Sequence, residues 1–421
     1  MSSTPPVVGF LGLSHLGIVS AISLASKKVH CIGVDPNHKL VNNLSNQKWP
    51  IKEPGMEEAY IVSKNFLFFD SNLATLVKCD IVYISQDVPT NSDGKSDLAI
   101  IENLVCAAAQ IILPESLIII LCQVPPGFSR KMQKYHKNLY YQVETLVFGQ
   151  AFERAISPER IIVGAEDSCT PIRTDFQIVL DKFSCPILLM DFESAEFTKI
   201  SINAFLAASI TTTNELNRIG NSVGAKWDNV KEALQLDKRI GPYAYLKPGL
   251  GISGGNIERD LQTLDDLDQK ESGGVSLFRT YVSHSKAQKN WIFNVISDEI
   301  LYTNRKARIG ILGVTYKENT NSTKNSIALE VISKFSENIV GIHDPYAELP
   351  QELEGLKRFS SVQECILSSD AVAIMTPWRE FYEIDLRKIP KEKLSSLIFI
   401  DPYGILDHSS MPKEVTVKRL N

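Results

Sequence analysis

The chain has 421 residues, which is long for one hydrophobic core, so two or three domains are expected. Its 44% hydrophobic and 22% charged residues exclude a disordered or fibrous protein. A formal net charge of -5 argues against non-specific nucleic-acid binding. "MSSTPPVVGFLGLSHLG" has no basic segment before its apolar run, so it does not read as a signal peptide. No apolar run reaches the roughly 18 residues of a membrane span. The cysteines, Cys31, Cys79, Cys106, Cys122, Cys169, Cys185 and Cys365, form no CxxC pair. They read as reduced thiols of a cytoplasmic protein, with no metal site expected.

In chain order, "PVVGFLG" is a short apolar run ending in glycine, "IVSAISLASKK" has helical spacing, and "VHCIGVD" is a second buried-type strand. Together they predict a βαβ unit. Further strands are expected at 81–85, 117–124, 160–164 and 186–191, with helical segments between several of them. This alternation fits a mostly parallel, doubly wound sheet. After about residue 192, "SAEFTKISINAFLAASITTTNELNRIGNSVG" carries a long helical period. Phe197, Ile200, Ile202, Phe205, Leu206 and Ile210 make it too apolar for a plain surface helix, so it is expected to pack against a partner subunit or between domains. A second strand–turn–helix is expected from "ARIGILGVTYK", with strands at 339–344, 371–376 and 397–401. The expected fold is α/β, with two Rossmann-like doubly wound domains joined by a central helical dimerisation region. The expected domains are 1–192, 193–304 and 305–421.

"GFLGLSHLG" supplies Gly12-x-Ser14-x-x-Gly17. A dinucleotide fingerprint uses its first glycine for the turn, its second to admit the pyrophosphate, and its third to pack helix on strand. Ser14 takes the middle place, and its Cβ would crowd the pyrophosphate slightly. Asp35 closes the second strand at about the 20-residue spacing of a ribose-binding acid, which favours NAD over NADP. Gly12, Ser14, Leu16, Gly17 and Asp35 are the cofactor candidates. The plainer alternative is that Asp35 caps a turn and the glycines only pack. His15 is expected beside the site rather than in the chemistry.

Several segments together resemble the UDP-glucose/GDP-mannose dehydrogenases, the NAD-dependent nucleotide-sugar 6-dehydrogenases. They are "WPIKEPGMEE", "VPPGFSR", "SPERIIVG", "EFTKISINAFLAASITTTNEL", "RIGPYAYLKPGLGISGGNIERD", "GILGVTYKENTNSTKNSIALEVI" and the later "HDPY", "TPWREF" and "DPYGILD". The likeness runs over essentially the whole chain. It implies a four-electron oxidation of a primary alcohol to a carboxylate with NAD, through a cysteine thiohemiacetal and thioester. It also implies a nucleoside-diphosphate sugar as substrate and a homodimer built on the central helices.

By position, the resemblance assigns Lys199 and Asn203, which share a helix face, to the developing oxyanion. It makes Asp260 a base that orients water and Glu159 the activator of water for thioester hydrolysis. Arg239, Gly251 and Lys317 match substrate contacts. Plainer roles are a solvated helix charge for Lys199, a surface salt bridge for Glu159 with Arg160, and a helix N-cap for Asp260.

The family loop reads Gly-x-Gly-Gly-x-Cys-x-x-Lys-Asp, whereas residues 251–260 read Gly-Ile-Ser-Gly-Gly-Asn-Ile-Glu-Arg-Asp. Asn256 therefore stands at the nucleophile position, and an amide cannot form a thiohemiacetal. Arg259 replaces the loop lysine, Gln123 a threonine, and Lys324 an arginine, with loss of bidentate recognition at the last. Cys122 is a poor replacement nucleophile. Three readings follow: an NAD-dependent sugar-nucleotide oxidoreductase with altered chemistry, a redox-neutral epimerase that retains NAD, or a non-catalytic protein that binds NAD and a nucleotide sugar.

Overall fold

The computed structural model describes residues 5–89, 96–271, 276–347, 349–353, 355–407, 411–412 and 414–420. The chain packs as two units, Met1–Ile202 and Asn203–Asn421. The boundary falls inside one long helix, Phe192–Ser222.

Among the described residues the first unit holds eight strands. They are β1 (Val8–Leu11), β2 (Cys31–Val34), β3 (Leu67–Asp70), β4 (Ile81–Ile84), β5 (Leu117–Ile120), β6 (Leu139–Gln142), β7 (Ile161–Ala165) and β8 (Ile187–Asp191). Their order is β3-β2-β1-β4-β5-β6-β7-β8. Every pairing is parallel except β6 with β7. All four residues of β1, β4 and β5 are buried, because helices cover both faces of a parallel sheet. Alternate side chains feed two cores: Phe10 and Tyr83 point to one, Leu11, Val82 and Ile84 to the other. Between β1 and β4 the strand order reverses, and such a switch point opens a crevice at the carboxyl ends of the strands.

In the second unit, helices Trp227–Leu236, Asn256–Glu271 and Leu277–Asn294 precede a five-stranded sheet. Its strands are β9 (Ile309–Leu312), β10 (Ile339–His343), β11 (Ala371–Ile374), β12 (Ile398–Asp401) and β13 (Thr416–Arg419), in the order β10-β9-β11-β12-β13. All of its pairings are parallel. The protein is thus α/β, with two parallel-dominated sheets and a helical middle section. No helix among the described residues is long and apolar enough to cross a membrane.

The second strand–turn–helix begins at β9 and reaches its helix, Ile327–Lys334, after a long connection. Strands β3, β6 and β13 had no counterpart in the sequence reading. Each is short and only partly buried, with Phe68 of β3 60% exposed, and the apolar run "FLFF" at 66–69 was passed over.

Candidate active site

The glycine loop follows β1 and opens helix His15–Ser26. Gly12 has φ +93°, and a Cβ there would sit 2.9 Å from the Gln86 side chain. A Cβ on Gly17 would stand 2.0 Å from the Gly12 carbonyl oxygen, so only glycine lets the helix approach this closely. Leu16 is buried in the core behind the loop. The Ser14 hydroxyl donates to the Ser85 carbonyl at 3.2 Å and accepts from the Asp87 amide at 2.8 Å. Its side chain is thereby tied to the segment after β4, which accounts for a serine at the middle glycine position.

Asp35 is buried at the end of β2, where its carboxylate accepts the Leu13 amide and the Asn37 amide, both at 2.9 Å. It braces the glycine loop, and each carboxylate oxygen retains a lone pair for a ribose hydroxyl. The turn-cap alternative and the cofactor role coexist in this geometry. The same device recurs in the second unit: Gly313 has φ +86° after β9, and Asp344 after β10 accepts the Val314 amide at 2.7 Å. Glycine turn, helix N-terminus and strand-end acid together fit a dinucleotide. When bound, NAD supplies a hydride acceptor.

Lys199 is 8% exposed, and its ammonium lies 3.2 Å from Glu144. It is therefore no solvated helix charge. Glu144 follows β6 directly and escaped the sequence reading because that strand did. A carboxylate just past a parallel strand is where a ligand site is built, so recognising "LYYQ" as a strand would have marked it. Glu159 has a different setting. Its side chain is 66% exposed and ion-pairs with Arg154 at 3.5 Å and Arg160 at 3.1 Å. The structure brings Glu144, not Glu159, to Lys199.

Glu196 lies one turn before Lys199 and is fully buried. Its carboxylate accepts the Gly127 amide at 2.5 Å and the Ser129 amide at 2.7 Å, which holds the "VPPGFSR" turn. Burial pushes its carboxyl up to about 7, opposed by those amide bonds. The folded state therefore holds a proton that the unfolded state releases between about pH 4.5 and 7, and this group's contribution to stability falls as pH rises through that window. Relative to Glu196→Gln, the wild type is expected to lose on the order of 3 kcal/mol between pH 5 and pH 8. Urea unfolding of both proteins at the two pH values checks this, and parallel pH profiles would refute it.

In the second unit, the Asn203 amide donates to Asp260 at 2.5 Å, and Arg259 lies 3.6 Å from the same carboxylate. Asn203, Arg259 and Asp260 are 7%, 6% and 2% exposed. Asp260 sits inside helix Asn256–Glu271, so it is not an N-cap. Asn256 is the first residue of that helix and is exposed. The loop before it is held by side chains. The Asn214 carbonyl accepts the Gly249 amide at 2.9 Å, Gln288 donates to the Gly249 carbonyl at 3.1 Å, and Ser285 accepts the Ile252 amide at 2.8 Å. Gly251 has φ +90°, and a Cβ there would lie 2.8 Å from the Ser285 hydroxyl. A Cβ on Gly255 would lie 3.6 Å from the Lys324 ammonium nitrogen, which places that cation beside the head of the helix. The Lys317 ammonium lies 5.7 Å from the Tyr316 ring centre. Arg239 is 88% exposed in its side chain and pairs with Asp237 at 2.7 Å.

Cys122 is buried and donates to the Ile84 carbonyl at 3.1 Å. Burial raises its thiol far above the ordinary range, so it supplies no thiolate.

These features define a protein with a dinucleotide-type cradle and a second buried constellation of amide, carboxylate and guanidinium. Three segments match one family: its NAD binding domain over residues 7–175, its central domain over 193–284 and its UDP binding domain over 310–408. The chain belongs to the UDP-glucose/GDP-mannose dehydrogenase family and is an NAD-dependent oxidoreductase of the nucleotide-sugar dehydrogenase type. It is 26% identical to a putative UDP-glucose 6-dehydrogenase of Bacillus subtilis, over 90% of this chain and 91% of that one. It is 25% identical to the UDP-glucose 6-dehydrogenase of Drosophila melanogaster, over 90% and 88%. The fold matches a UDP-glucose dehydrogenase of Pyrobaculum islandicum with TM-score 0.80 and 24% identity, over 100% of this chain and 98% of that one. It matches a UDP-D-ManNAc dehydrogenase of Pyrococcus horikoshii with TM-score 0.83 and 20% identity, over 98% and 99%.

Proposed function

We propose that the protein oxidises a hydroxyl of a nucleoside-diphosphate sugar with NAD in a single two-electron step, and does not complete the covalent second oxidation. The observation that carries this reading is the buried bond between Asn203, on helix Phe192–Ser222, and Asp260, on the helix whose exposed first residue is Asn256. The carboxylate and its amide partner are in place, while the position that resembles the family's nucleophile holds an amide. NAD held at the glycine loop would supply the acceptor for the hydride of the alcohol carbon, and the hydroxyl loses its proton to a carboxylate base, Asp260. Lys199 and Asn203 are assigned by resemblance as N–H donors to the oxyanion that develops. Glu144 orients Lys199 through their 3.2 Å contact. Lys317, Arg239 and Gly251 are assigned to the sugar nucleotide by resemblance, and the matched UDP binding domain supports a uridine nucleotide.

The division into residues 1–192, 193–304 and 305–421 belongs to this proposal, supported by the three matched segments. So does a homodimer, supported by Phe197 and Phe205, which are 49% and 78% exposed on the long helix. A cytoplasmic setting is supported by the free cysteines.

Purified protein is to be incubated with NAD and a panel of UDP-, GDP- and CDP-sugars, following NADH absorbance and product mass together. One NADH per sugar with an aldehyde or ketone product is expected. Two NADH and a carboxylate would overturn the single-step reading. An isomer without NADH would assign the redox-neutral epimerase, and ligand binding without turnover the non-catalytic alternative. Asn256→Cys is expected to gain a sugar thioester detectable by intact mass and to form acid. If neither appears, the loop differs from the family's by more than this residue.

A further inference from the structure

Glu53 lies in "KEPG" and has no part in the chemistry above. Its side chain is 1% exposed. Oε1 lies 2.8 Å from Nε2 of His15 and accepts the Gly149 amide at 2.9 Å, and Oε2 accepts the Ala151 amide at 2.9 Å. The His15 ring also stacks on Phe148, with centroids 4.2 Å apart. One buried carboxylate therefore joins two places. His15 is the first residue of the helix opened by the glycine loop. Residues 148–151 belong to the segment after β6 that begins with Glu144, the partner of Lys199. A shift of the loop by a few tenths of an ångström reaches residues 148–151 through a charged hydrogen bond and a ring contact, both packed with little room to relax.

We propose that Glu53 and His15 are positioning residues that couple dinucleotide occupancy of the glycine loop to ordering of residues 144–151. The proposal rests on the glycine loop as the NAD site. The link is carried by the His15–Glu53 contact, by the two backbone amides that Glu53 accepts, and by the ring contact of His15 with Phe148.

The test uses the full chain and NAD, with binding read by calorimetry and ordering by amide exchange of residues 144–151 with and without NAD. Wild type is expected to gain protection in 144–151 with NAD. His15→Phe keeps a ring against Phe148 but cannot bond Glu53, and is expected to lose that gain. His15→Gln keeps a donor toward Glu53 and should retain it, which also guards against a His15→Phe chain that fails to fold. NAD-induced protection in folded His15→Phe, or its loss in a His15→Gln chain that binds NAD, overturns the proposal. NAD binding by wild type without protection of 144–151 overturns it while leaving the cofactor site intact. Absence of NAD binding by wild type rejects the cofactor site and the coupling together.

Discussion

Gly17→Ala is expected to abolish measurable NAD binding and to lower the stability of the first unit. The added methyl would lie 2.0 Å from the Gly12 carbonyl oxygen and 2.9 Å from the Ser85 hydroxyl. The first neighbour is backbone of the loop itself, so relief requires helix His15–Ser26 to lift off β1. Overpacking of this kind costs roughly 1–3 kcal/mol. Lifting the helix also withdraws the amides that face the cofactor's diphosphate, so a loss of at least about a hundredfold in affinity is expected. Gly224→Ala is the control. Gly224 has φ +76° but open space around its Cβ, so it should cost only about 1 kcal/mol of backbone strain and leave NAD binding unchanged. Calorimetry with NAD and urea unfolding of both variants decide the matter. NAD binding of wild-type strength by Gly17→Ala would mean the loop is not the cofactor cradle.

Asp260→Ala is the second large effect. It removes the carboxylate that accepts from Asn203 at 2.5 Å and faces Arg259 at 3.6 Å, in a site where all three residues are buried. Removing one partner from a buried charged group typically costs about 3–5 kcal/mol, because the remaining charge keeps its desolvation penalty. A fall of that size in the unfolding free energy is expected, together with loss of sugar-dependent NADH formation. Asp260→Asn separates the two roles. It preserves shape and an acceptor for Asn203, so most stability should survive while the base is lost. Wild-type turnover in Asp260→Asn would remove Asp260 from the chemistry. A wild-type urea midpoint in Asp260→Ala would show that the constellation contributes nothing to the fold.

Much of this architecture was legible in the amino-acid order. Continuous apolar runs such as "IVYI" and "LIII" mark strands covered on both faces, and both lie in the centre of the first sheet. Gly12, Gly17 and Asp35 could be paired because the βαβ unit that joins them is local, and its spacing follows from one strand, one helix and one return. The nine segments that resemble the nucleotide-sugar dehydrogenases stand in an order that the three matched domains bear out. Strands β3, β6 and β13 were not legible. At four residues each, "LFFD", "LYYQ" and "TVKR" are too short for a period to tell strand from helix or loop.

The site was less legible than the fold, because its partners are chosen across long separations. Glu159 and Glu144 are both glutamates near the start or end of a strand. Nothing in their immediate neighbours says that one is drawn into a surface pair with Arg154 and Arg160, while the other meets a lysine 55 positions further on (199 − 144). Asp260 has the sequence context of a cap, yet the helix begins at Asn256 and turns its carboxylate inward to Asn203. The sequence by itself determined the sheet centres, the glycine cradle and the family likeness, since periodicity and local spacing are properties of adjacent residues. Only the tertiary structure decided which carboxylates are buried, which cation each faces, and that Glu53 joins the helix after the glycine loop to the segment of Glu144. Those choices depend on desolvation and on hydrogen-bond distances that exist only once the strands are side by side.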